Sequence, residues 1–151
     1  MEMLQRLLLG AACFGLAVEV HAAAVMGDGK AVIDALGVDG RWAVTCRQPA
    51  SADNPYLVFE TFREGPPIQR RIAPPDEPRE MQLLDVEWKK KTRELVWVIP
   101  EGEVMLTVTS QLDGNRMRVT SIVTSDGVKL VSDARGDDGK PTPWLSKCET
   151  N

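Results

Sequence analysis

The chain is poor in side chains that perform covalent chemistry. Its one histidine is His21, its three cysteines are Cys13, Cys46 and Cys148, and none of these stands in a CxxC or metal-ligand spacing. If Cys13 and His21 leave with an N-terminal leader and the other two cysteines pair, no Ser-His or Cys-His nucleophile pair and no thiolate remains. Carboxylates are then the residual candidates. Asp85 and Glu87 fall on one face of a strand, about 6 to 7 Å apart by strand rise, a separation that a glycosidase pair can use. Leu84, Val86 and Trp88 alternate with them as a core-facing set, which places both acids on a solvated outer face.

The other acids point to turns. Asp113, Asp126, Asp137 and Asp138 stand in contexts where a short side chain bonds its own backbone. Residues 133–139 (DARGDDG) lack the ligand alternation of a calcium loop, and Ser125 with Lys129 and Ser146-Lys147 have no supporting motif. The expectation is a non-enzymatic protein with no catalytic residue, no metal and no cofactor.

Compartment comes from the first residues. Arg6, an apolar run from Leu7 to Val18 and the small residues Ala22, Ala23 and Ala24 have the order of a secretory signal peptide, with cleavage after Ala22 or Ala24. The apolar run is about twelve residues against the roughly twenty of a spanning helix, so no membrane span is expected in the mature protein. Lipidation at Cys13 is the alternative, disfavoured by Gly10 three positions before it. The reading is 1–22 signal peptide, 23–37 a segment with a short helix, 38–151 one β-domain, and a periplasmic or secreted location.

In an oxidising compartment Cys46 and Cys148 should form a disulfide. Closing a loop of about a hundred residues, it would contribute on the order of 4 kcal/mol through unfolded-chain entropy. The leader removes one of 18 basic and two of 22 acidic residues, leaving a mildly acidic chain. That balance provides no footprint for nucleic acid or for an anionic membrane surface.

The elements that must position any site are mostly strands. Lys30 to Leu36 reads as a short helix stopped by Gly37. Apolar alternation then marks strands at 40–46, 56–62, 81–88, 93–99, 104–110, 117–124 and 128–133, joined by short turns rich in Gly, Asp and Asn. The sequence predicts a small up-and-down antiparallel barrel of about seven or eight strands, with a tightly curled sandwich as the alternative.

Residues 63–80 (REGPPIQRRIAPPDEPRE) break the alternation with five prolines and are expected to form a stiff excursion holding at most a short edge strand at 68–72. Arg70 and Arg71 on it are the first candidates for a contact surface. Trp88 followed by Lys89, Lys90 and Lys91 places an aromatic beside a cationic cluster, which suits an anionic partner or simple solvation. Trp42 and Trp144 are expected as structural packing, with Gly40 opening the first strand.

Gly40-Arg41-Trp42 after a short helical turn resembles the opening of lipocalins and related calycin barrels. The resemblance implies that Trp42 plugs the closed end, with Arg135 packing across it. The leader, Gly-Arg-Trp-Ala-Val-Thr-Cys and the late Pro-Trp-Leu-Ser-Lys-Cys resemble small exported proteins of Gram-negative bacteria that have no assigned activity.

Two functions fit. The first is a periplasmic accessory protein that contacts another envelope or secreted protein, as an inhibitor or assembly factor, through the proline-rich segment. The second is a carrier of a small apolar ligand, which requires an open interior of at least roughly 300 Å³. Trp42, Leu57, Phe59, Leu84, Val96, Val98, Leu106 and Val119 are large enough to fill a narrow barrel, and a filled barrel would remove the carrier reading.

Overall fold

Asp28 and Gly37 bracket the first element. The computed structural model describes residues 28–149, so the leader reading, with Cys13 and His21, lies outside the described residues. Helix α1 (Gly29–Leu36) begins where Asp28 Oδ1 accepts a hydrogen bond from Lys30 N at 3.1 Å, and stops at Gly37, whose φ of 62° is left-handed. Lys147 Nζ, from the far end of the chain, donates to the Gly37 carbonyl at 2.6 Å. The tail thereby satisfies a helix-end acceptor.

The strands are β1 (Gly40–Ala43), β2 (Tyr56–Glu60), β3 (Ile68–Ile72), β4 (Arg79–Gln82), β5 (Asp85–Lys89), β6 (Glu94–Glu101), β7 (Val104–Asp113), β8 (Arg116–Thr124), β9 (Lys129–Ser132), β10 (Arg135–Gly136) and β11 (Leu145–Lys147). Two antiparallel meanders, β1 to β4 and β5 to β10, are joined by β11, which lies between β1 and β8. Nine strands thus run in the order β4-β3-β2-β1-β11-β8-β7-β6-β5, with β9 and β10 hung on the second half of β8. The expected antiparallel, all-β, disulfide-stapled architecture is present, curled into a half-barrel. The insertion of β11 could not be read from alternation, because three residues are too few to show a period.

The curl closes through a corner. Leu83 N donates to the Pro67 carbonyl at 2.8 Å and Leu84 N to the Val98 carbonyl at 2.9 Å, so one run of chain hangs on both ends of the path. Residues 81–88, expected as one strand, are therefore divided between β4 and β5. Leu83 is buried and Leu84 is 50% exposed, so Leu84 leaves the core-facing set while Val86 stays in it.

Two more expectations are corrected. Segment 68–72 is an interior strand, paired with β2 on one side and β4 on the other. Pro66, Pro67, Pro74, Pro75 and Pro78 all lie outside its paired residues, so no ladder donor is lost where one is needed. On β6 the buried residues are Leu95, Trp97 and Ile99, and Val96 and Val98 face the other way. A strand in which every residue from 95 to 99 is apolar leaves its inward face undetermined by sequence.

The core gathers Ile33, Val38, Trp42, Phe59, Leu83, Val86, Leu95, Trp97 and Met117. Phe59 and Trp97 meet edge to face, with centroids 5.5 Å apart and planes at 88°. Trp42 Nε1 donates to the Val38 carbonyl at 2.8 Å, so its polar atom is satisfied at full burial. Cys46 and Cys148 are disulfide-bonded with Cα atoms 5.4 Å apart, and Cys148 N donates to the Arg41 carbonyl at 2.7 Å. The staple ties the first strand to the last.

Candidate functional site

The concave face of the half-barrel is not filled. Strand registry stacks its lining in rows. Leu57, Arg71 and Arg79 face one another across β2, β3 and β4, and the next row brings Gln69 and Met81 to the lining beside the core residue Phe59. On the opposite side Ile99 stands against Leu106, and Trp97, Val108, Ile122 and Val131 form a row from β6 to β9. These two sides, with Val119, Pro143 and Leu145, enclose an open-mouthed cavity of about 330 Å³. Toward the other end of the same strands, Leu95, Leu112 and Met117 close the interior together with Ile33 and Val38.

The mouth is charged but matched. Arg79 pairs with Glu101, and Arg71 Nη1 lies 3.9 Å from Asp76 Oδ2. Each guanidinium at the opening thus has a carboxylate beside it. Deeper in the cavity, Gln69 is 6% exposed and Trp97 1%, and both line the space. Gln69 Oε1 and Trp97 Nε1 have no hydrogen-bond partner among the described residues. Both atoms, like Ser110 Oγ, are enclosed by protein and not opened to the cavity, so each carries an uncompensated desolvation cost.

The residues singled out from sequence are dispersed. Arg70 and Arg71 do not share a surface. Arg70 Nη2 is 2.9 Å from Glu80 Oε2 and 3.2 Å from Glu60 Oε2 on the outer face, while Arg71 reaches the cavity mouth. The Glu80 hydrogen bond first, and the Glu60 charge after it, hold the Arg70 guanidinium protonated beyond its ordinary range. Trp88 packs against the core, and Lys89, Lys90 and Lys91 form an exposed tip. That tip stands beside Glu94, at the opposite end of β6 from Glu101, about 23 Å from the mouth by strand rise.

The structural candidates lie as follows. Gly40 has φ of 104°, a conformation open to glycine, and Trp42 is buried. Trp144 lies under Arg116 and Arg118, whose guanidinium carbons are 4.6 and 5.9 Å from its ring centre. Arg135 is exposed and donates to the Gly139 carbonyl at 2.9 Å. Asp85 and Glu87 alternate with buried Val86 along β5.

Sequence reading passed over Gln69, Arg79 and Glu101 as site residues and counted Trp97 only as aromatic mass. The available signal was IQRRI itself, where Gln69 and Arg71 are two apart and so share a face. A scan against family models, a search of curated proteins and a search of solved structures each return no match to this chain.

Proposed function

We propose that the chain is an exported carrier, periplasmic or secreted after removal of residues 1–22, that holds a small and largely apolar molecule in its half-barrel. The observation that carries this reading is the cavity of about 330 Å³, lined by Leu57, Met81, Ile99, Leu106 and Val119 rather than filled by them. It meets the size that separates a carrier from a packed barrel. Cavities of this size hold small organic molecules.

The single disulfide and the leader-like start support export. No helix among the described residues is long and apolar enough to cross a membrane. The contact-protein reading draws less support, because Arg70 is held between Glu60 and Glu80 and Arg71 stands on the opposite face at the cavity mouth.

The test is uptake of naphthalene by the purified exported protein, followed by its fluorescence, alongside native mass spectra before and after denaturation. Saturable uptake that is lost in Leu106→Trp, or a co-purified small mass released on denaturation, is the expected result. A bare chain that takes up no naphthalene overturns the reading.

A further inference from the structure

We infer that the molecule held is a monocarboxylate, an apolar body with one ionised head, and that Arg71 at the cavity mouth receives the head. This rests on the carrier reading above and adds the charge and the place of the polar end. Among the described residues, the ionisable groups that line the cavity are Arg71, Arg79 and Glu101, so the lining carries one more cation than it has carboxylates. Registry sets Arg71 directly opposite Arg79 on β3 and β4, a position in which like charges oppose each other.

Both guanidinium groups have a carboxylate beside them, but the two pairings are unequal. Arg79 is hydrogen-bonded to Glu101 on β6. Arg71 has Asp76, which stands outside the lining with its Oδ2 3.9 Å from Nη1, beyond hydrogen-bond distance. Those two side chains are 39% and 71% exposed, so water screens most of the attraction. Arg70 on the outer face shows the contrast, since it donates to both Glu60 and Glu80. A ligand carboxylate would offer the Arg71 fork two oxygens at hydrogen-bond length, with the body of the molecule against Leu57, Met81 and Leu106. A neutral head would leave the opposition between Arg71 and Arg79 unrelieved, and a cationic head would add to it. A phosphomonoester carries nearly two charges at neutral pH and would find no second uncommitted cation in the lining.

Sodium octanoate, octan-1-ol and octyl phosphate, titrated into the disulfide-bonded protein at about pH 7 with tryptophan fluorescence and calorimetry as readouts, test this. Octanoate should bind about fivefold more tightly than either of the others. Arg71→Met keeps an apolar stem and removes the charge, so octanoate should weaken about tenfold while octan-1-ol changes by less than about twofold. Arg70→Met removes the same charge from the outer face and should leave octanoate binding unchanged. Arg71→Gln serves if Arg71→Met does not fold. Tightest binding of octan-1-ol or octyl phosphate, an octanoate affinity unmoved by the Arg71 variant, or an equal loss in Arg70→Met overturns the head-group assignment and leaves the carrier reading standing. Failure of all three probes, together with naphthalene, removes both.

Discussion

Arg70 and Arg71, consecutive on β3, serve opposite faces of the sheet: Arg70 bridges Glu60 and Glu80 on the outside, and Arg71 stands at the cavity mouth opposite Leu57 and Arg79. Strand alternation makes this unavoidable once β3 is paired on both edges. Two cations that look like one patch in sequence therefore have separable roles.

The first prediction follows from that separation. Arg70→Ala removes a cross-strand clamp spanning three strands and should lower Tm modestly, by about 2 °C, because the pairs are largely exposed. It should leave naphthalene affinity unchanged. Arg71→Ala removes the aliphatic stem that covers part of the opening and should weaken naphthalene binding severalfold with little change in Tm. Thermal melts and fluorescence titrations of both variants decide it, and a reversed pattern would mean that the two faces have been misassigned.

What the sequence made legible was governed by local rules. Asp28 and Gly37 sit where a helix must start and stop, and glycine turns fix the β6 to β9 hairpins; the one long-range link that was legible, Cys46–Cys148, was legible because only two cysteines remained to pair once Cys13 was assigned to the leader. What it hid was set by partners distant in the chain. The all-apolar run of β6 did not say that Trp97 rather than Val96 faces inward. The prolines around 68–72 concealed an interior strand, because the cost of proline depends on which residues pair. Whether the interior is open or filled depends on side chains from eight strands meeting at once, which no single segment records.

The disulfide is expected to carry a large share of stability. Cys46 and Cys148 are separated by 102 residues, so reduction should cost about 4 kcal/mol if it acts through the unfolded chain. Urea unfolding with and without a reductant measures it. A loss under about 1 kcal/mol would show that β1, β8 and β11 hold together without the crosslink.

Acid stability should depend in part on Asp34. The hydrogen bond from Lys30, and after it that from Thr61, holds the Asp34 carboxyl below the usual aspartate range. A carboxyl depressed in the folded state contributes stability above its unfolded value, and that contribution disappears as pH falls through the lower folded value. Urea midpoints should therefore fall as pH drops below the ordinary aspartate range, with a shallower fall in Asp34→Asn. Because the group is solvent-exposed the difference is small, and parallel curves for the two proteins would remove Asp34 from the account.

The two buried tryptophans make the sharpest comparison. Trp42 and Trp97 are each 1% exposed and both belong to the core, yet Trp42 Nε1 donates to the Val38 carbonyl and Trp97 Nε1 donates to nothing described. Tryptophan to phenylalanine removes similar volume from each site, so the packing losses largely cancel in the comparison. What differs is the hydrogen bond. Trp42→Phe gives up a satisfied pair and leaves the Val38 carbonyl without its donor, a cost of about 1 to 3 kcal/mol beyond packing. Trp97→Phe deletes a donor that was already unpaired, which relieves a desolvation cost in the empty protein. Trp42→Phe should therefore be the more destabilising by at least about 1 kcal/mol in urea unfolding without ligand. Equal losses in the two variants would mean that Trp97 Nε1 finds a partner in solution.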